Sequence, residues 1–229
     1  MNVTTRGLTQ AAGLAAATAG AIFIAVQINH PPTDSYLTQT NQWVIRSFAK
    51  SLMCGLAIAG ITGIYLSQVR QMKALGLVGY LVFAAGYLMM LPTEAMAAAL
   101  LPGLTHSQPG FVNDVVVTAA GGHPVGNIGH MQVLFNLTGA CYMVGGLVFG
   151  IALFRAHVLA RWAAILLSLS TVATASLAFL PDTFNRPMAV PEGIALIGLG
   201  VSLWRQQRGS DRAPTAAAQS TTVRAAPVR

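Results

Sequence analysis

Two glutamates stand just behind prolines in long apolar stretches. Glu94 sits in "LMMLPTEAMAAALLPG", two residues after Pro92, and the nearest formal charges along the chain are Lys73 and Asp114. Glu192 sits in "RPMAVPEGIALIGLGVSLWR", directly after Pro191. A carboxyl group in an apolar span is costly, and it faces a bundle interior or a wet cavity when it is tolerated at all. There it can pass a proton as general acid or base. Arg46 and Lys50 in "WVIRSFAK" are four residues apart, on one helix face. They are candidates to pair with Glu94, Glu192 or Asp182, or to bind an anionic headgroup or substrate; the plain alternative is snorkelling to the interface. The candidate set is Glu94, Glu192 and Asp182 as catalytic acids, with Arg46, Lys50, Trp43, Tyr87 and His130 as substrate-binding side chains.

Other chemistries find less support. His106, His123 and His130 are separated by 17 and 7 residues, and neither HxxxH nor HExxH occurs, so zinc spacing is absent. Haem wants helical histidines facing each other at one depth, and only His130 adjoins a span. No metal and no cofactor are therefore expected. Cys54 and Cys141 fall inside apolar segments and read as small buried residues, not as a disulfide framework. No phosphate-binding loop, nucleophile elbow or triad order is present.

Composition fixes what must position these residues. Of 229 residues, 54% are apolar and only 8% charged, against about 25% charged in a soluble domain. Such a chain cannot cover its surface with polar groups, and the remaining solvent is lipid. Charges divide it into six segments of membrane-spanning character: Leu8 to Ile28, Ser51 to Ser67, Ala74 to about Leu91, Met131 to Phe154, Trp162 to Leu180, and a sixth between Arg186 and Arg205. Backbone groups in lipid must pair internally, so all six are read as helices. The fold class is an all-α, polytopic membrane bundle of about six transmembrane helices. Residues 1–205 form one domain with an outer loop at 104–128, and 206–229 form a disordered tail of Ala, Thr, Ser, Pro and Arg. The apolar run through Ala25 and Val26 suits an uncleaved first helix.

Orientation follows from Lys and Arg. With six spans, Arg6, Arg70, Lys73, Arg155, Arg161 and the five arginines from Arg205 onward share one side; Arg46, Lys50 and Arg186 take the other. Both termini are thus expected in the cytoplasm. Arg outnumbers Lys eleven to two and Ala and Gly are abundant, a composition read as a GC-rich bacterium, which places the chain in the inner membrane. Thirteen basic residues against six acidic ones do not indicate nucleic acid, because no aromatic residues are interleaved with them as a stacking platform requires.

Depth follows from helix rise. With Ala74 as the start of the third helix, twenty residues reach roughly 30 Å, which puts Glu94 at the outer interface. A kink is expected at Pro92. The sixth helix must begin near Pro187, with Glu192 one or two turns below the outer surface. The loop after Leu104 is long and rich in Gly, Pro and His, the character of a lid or a disordered connection. Glycines in "GGLVFG", "GLAIAGITG" and "GIALIGLG" mark helix contacts. Packing within one bundle is the common use of such faces, and homo-oligomerisation is the other.

Three segments carry a resemblance: "INHPP" after the first span, "GLAIAGITGIYL" in the second, and "FGIALFRAHVLARWAAILL" joining the fourth and fifth. From Leu8 to Trp204 the pattern resembles small bacterial multi-pass membrane proteins of unknown function, a group that implies the helical bundle but brings no catalytic residues. The chain also resembles membrane-integral terpene cyclases as a small helical protein with intramembrane acids, without sharing a motif. Three functions follow. The first is an accessory protein binding a small molecule or a partner at an outer-leaflet pocket lined by carboxylates. The second is an enzyme in which Glu94 or Glu192 starts an isomerisation or cyclisation of a prenyl-like lipid, the other acting as base or cation stabiliser. The third is a proton-linked transporter using the same acids as relay. The expected partners are the bilayer and a lipid-soluble small molecule.

Overall fold

A computed structural model describes residues 4–30, 34–174 and 187–209. Among these residues the chain is helical without strands. The helices are α1 (Thr5–Ala25), α2 (Asn41–Ser67), α3 (Val69–Ala99), α4 (Leu101–Leu104), α5 (Pro109–Ala119), α6 (Met131–Ala156), α7 (Arg161–Ala173) and α8 (Val190–Gly209). Five helical segments are long and apolar enough to cross a membrane: Thr5–Ala25, Asn41–Ser67, Val69–Ala99, Met131–Ala156 and Pro187–Arg208. The expected span from Trp162 to Leu180 begins in α7, but its end lies outside the described residues, as do Asp182, Arg186 and most of the tail.

The helices close into a ring. In turn, α1 packs on α2, α2 on α3, α3 on α6, α6 on α7, α7 on α8, and α8 back on α1. Glycine contacts give the register. Gly13 meets Gly200 and Gly20 meets Gly193; Gly79 meets Phe149 and Gly86 meets Tyr142; Gly150 meets Ser168 and Gly146 meets Thr171. In each pair one number rises as the other falls, so these neighbours are antiparallel. The start of α1 and the end of α8 therefore meet, and the Arg6 guanidinium donates to the carbonyl of Gln207.

Lipid tails are as apolar as leucine, so close packing and interhelical hydrogen bonds must hold such a ring together. At Gly86 a Cβ would stand 2.9 Å from the Tyr142 nitrogen, too close to accommodate a side chain. Gly60 and Gly63 lie against Ala16 and Ala12 of α1. The small residues of the glycine-rich segments are thus used inside one bundle.

The second helix starts close to "WVIRSFAK", with Arg46 and Lys50 inside it: α2 begins at Asn41, where the Thr40 hydroxyl caps it by accepting from Trp43 N at 3.3 Å. Two local expectations differ from the structure. First, α3 stays helical through Pro92 as far as Ala99, and its non-helical dihedral falls at Lys73 (φ 52°, ψ −151°). Hydroxyls engage carbonyls beside the proline: Thr93 donates to Met90 at 2.7 Å and Ser51 of α2 to Leu91 at 3.5 Å. Neighbouring hydroxyls of this kind help to accommodate a proline in a transmembrane helix.

Second, the connection after α3 is folded. It contains α4 and α5, and Val112, Val115 and Val116 of α5 join Trp43, Leu101 and Ile128 in a small apolar cluster over the end of the ring. Asp114 organises its exit: the carboxylate accepts from Val125 N at 3.1 Å and Gly126 N at 2.8 Å. The valine-rich face of α5 supplies the burial that a structureless loop would lack.

Candidate functional site

The two proline-flanked acids belong to different centres. Glu192 lies in the first turn of α8 and is 1% exposed. Its phase along the helix explains why. Residues 192, 195, 196, 199 and 203 form one stripe with helical spacing, and Ala195, Leu196, Leu199 and Leu203 are completely buried. That stripe faces the inside of the ring. The carboxyl group reaches across to two other helices: Tyr87 of α3 donates its hydroxyl to Oε1 at 2.8 Å, and Tyr142 of α6 donates to Oε2. Among the described residues no basic side chain pairs with it.

Tyr87 and Tyr142 reach the same level because α3 and α6 run antiparallel in register. The two rings stand 5.7 Å apart and edge to face. The Phe83 ring lies 5.0 Å from Tyr87 and 5.7 Å from Tyr142. The acid thus meets two phenol hydroxyls whose rings pack with Phe83 in one aromatic cluster. Further along the same interface, Phe149 stands 6.3 Å from Phe83 and 6.5 Å from Tyr80, and Tyr80 stacks on Tyr65 at 4.8 Å.

Tyr142 lies eleven residues from Met131 at the start of α6, about 16 Å along the helix. The carboxyl group sits at the same level, near the middle of α3 and α6. It nevertheless lies in the first turn of α8, because the neighbouring helices rise well beyond that turn.

Glu94 lies seven residues beyond Tyr87 on α3, about 10 Å toward the end of the ring that α4 and α5 cover. There it meets Lys50 of α2, with Nζ 3.5 Å from Oε1, and both side chains are about one-fifth exposed. Lys50 is on the same face as Cys54, one turn deeper in α2 and completely buried. The pair is a partly exposed ion pair, a different chemical object from the phenol-bound acid on the ring axis.

The remaining candidates have definite places. Arg46 engages no acid among the described residues; it donates to the carbonyls of Val26 at 2.7 Å and Asn29 at 3.2 Å, at the end of α1. A cation favours such a helix C-terminus, so this arginine fastens α1 to α2. Trp43 donates Nε1 to the carbonyl of Ala97 at 3.0 Å and supports the apolar cluster under α5. His130 is exposed at the start of α6 and makes no capping bond with its side chain. Asp182 lies outside the described residues. Among the described residues no three His, Cys, Asp or Glu side chains converge to hold a metal.

Tyr142 and Phe83 are the site residues that sequence reasoning missed. A signal existed for Tyr142. Tyrosines in membrane helices concentrate at the interfaces, whereas Tyr142 stands mid-helix in "GACYMVGG". A hydroxyl at that depth needs a partner, and the acid of α8 supplies it. Neither a family model, a curated protein nor a solved structure matches this chain.

Proposed function

We propose that this chain is a multi-pass protein of the bacterial inner membrane that binds a small molecule or a membrane partner through the polar centre at Glu192. The observation that carries this reading is the bond pattern of one carboxyl group: an acid on α8 held by phenols on α3 and α6. A ligand that competes for either phenol or for the carboxyl group alters the relation of three helices at once. That is the arrangement a binding protein needs to convert occupancy into a change of shape. Arg6, Arg70, Lys73, Arg155, Arg161, Arg205 and Arg208 gather at one end of the ring, whereas Arg46 and Lys50 lie at the other. The positive-inside rule then assigns the first end, with both termini, to the cytoplasm.

The test is native mass spectrometry of the protein purified in mild detergent, repeated on Glu192→Gln and Glu94→Gln. The reading predicts a defined small molecule or protein retained by the parent chain and by Glu94→Gln, and lost from Glu192→Gln. Bulk phospholipid alone in all three would overturn it.

One observation favours a second reading, the acid-initiated rearrangement of a prenyl-like lipid. The carboxyl group stands beside an aromatic cluster of Phe83, Tyr87 and Tyr142, and aromatic rings stabilise positive charge. Closure of the site bears on both readings alike: at 1% exposure Glu192 admits neither a ligand nor a substrate without an opening of the ring. Incubation with prenyl lipids in vesicles decides between the two. A rearranged product that depends on Glu192 would establish catalysis, and unchanged substrate would leave the binding reading in place.

A further inference from the structure

The outer face of α8 carries a second stripe. Ile194, Ile197, Gly198, Val201 and Arg205 recur at helical spacing, offset from the buried stripe that bears Glu192. With Ala160, Trp162 and Ser202 they line a groove of about 510 Å3 between α7 and α8. Two details build it. The Trp162 ring lies on Gly198, where a Cβ would come within 2.5 Å of the indole, so the glycine leaves room for a broad aromatic wall. The Ser202 hydroxyl accepts from Ala160 N at 3.1 Å and ties the two helices together at the basic end.

About three turns of mostly apolar wall end in one guanidinium. Arg205 makes no hydrogen bond or ion pair among the described residues, whereas nearby Arg161 and Arg208 lie over the rings of Phe154 and Trp204. From Ile194 to Arg205 the helix rises about 16 Å, roughly half of a 30 Å hydrocarbon core. The groove therefore has the length of one leaflet, with its apolar part toward the bilayer centre and its charge at headgroup depth.

We propose that the α7/α8 groove holds an acyl chain of an anionic phospholipid, with the lipid phosphate on Arg205. The occupant is set by charge complementarity: a zwitterionic lipid fits the apolar wall equally well but brings a cation to the guanidinium. The inference rests only on embedding of the chain in a membrane and is independent of any ligand at Glu192.

The experiment uses the full chain in mild detergent, stripped of lipid and offered equimolar phosphatidylglycerol and phosphatidylcholine with identical acyl chains. Native mass spectrometry reads the first lipid retained. The expected preference for the anionic lipid is about fivefold, the contribution of one basic residue at an anionic surface. Arg205→Gln is expected to bring the ratio close to one, and Arg205→Lys to keep it. Val201→Phe, which fills the groove, is expected to reduce the retained anionic lipid. A ratio near one in the parent chain overturns the proposal. A preference that survives Arg205→Gln also overturns it by assigning the selectivity to the basic rim at large, and an unchanged anionic load in Val201→Phe does so by placing the chain elsewhere.

Discussion

Glu94 and Glu192 look alike in the sequence and are unlike in the molecule. Each follows a proline in an apolar stretch. Glu94 ends near the rim of the ring, paired with Lys50 and about one-fifth exposed. Glu192 ends on the axis, sealed and held by two phenols. The cause is helix phase and depth. Seven residues separate Glu94 from Tyr87 along α3, which moves the first acid about two turns away from the second. A charge that reaches water can be satisfied by a flexible lysine, whereas a buried carboxyl group must be satisfied by groups fixed in place. The difference between the two regions is therefore one of replaceability.

The largest effect is expected at the axis. Tyr87→Phe with Tyr142→Phe removes both donors and leaves the carboxyl group buried without a partner. Unfolding in lipid nanodiscs should show a loss of about 2–3 kcal/mol, given the cost of stranding a buried polar group and the modest worth of interhelical bonds in membranes. Adding Glu192→Leu to that double variant should recover at least half of the loss, because removing all partners together leaves nothing unsatisfied. A double variant as stable as the parent would erase the distinction between the two regions.

An intermediate effect is expected at Arg46. Arg46→Ala removes two bonds to the carbonyls at the end of α1, and a loss of about 1–2 kcal/mol is expected, since hydrogen bonds to charged groups exceed neutral ones. The loss should be the same in a Glu94→Gln background, because the two side chains share no partner. Restoration of stability by Glu94→Gln would mean that Arg46 serves the acid and not the helix end.

The smallest effect belongs to the rim pair. Glu94→Gln should cost no more than about 1 kcal/mol, and the cost should shrink as salt is raised, as for other partly exposed ion pairs. A larger, salt-independent loss would show Glu94 to be as deeply committed as Glu192.

Much of the fold was legible in the sequence, for reasons that particular residues make plain. The apolar segments and bounding charges exposed the long helices, because backbone in lipid has few alternatives. The glycines of "GGLVFG" and "GIALIGLG" marked the helix contacts, because only small residues permit close approach. What stayed hidden depends on three dimensions. The fold of α5 turned on burial of valines against Trp43 and Leu101. The bond from Glu192 to Tyr142 joins residues fifty positions apart and follows only from the register of α3, α6 and α8. Tyr87 was singled out and Tyr142 was not, although both are tyrosines at mid-helix.

The most direct test is a double-mutant cycle between Tyr142→Phe and Glu192→Leu, read as unfolding free energy in lipid nanodiscs. A bond across the ring axis predicts a coupling energy of about 1 kcal/mol or more, toward the upper end for hydrogen bonds within membranes. Additive effects, within about 0.3 kcal/mol, would contradict the central claim that the acid of α8 is held by the phenol of α6.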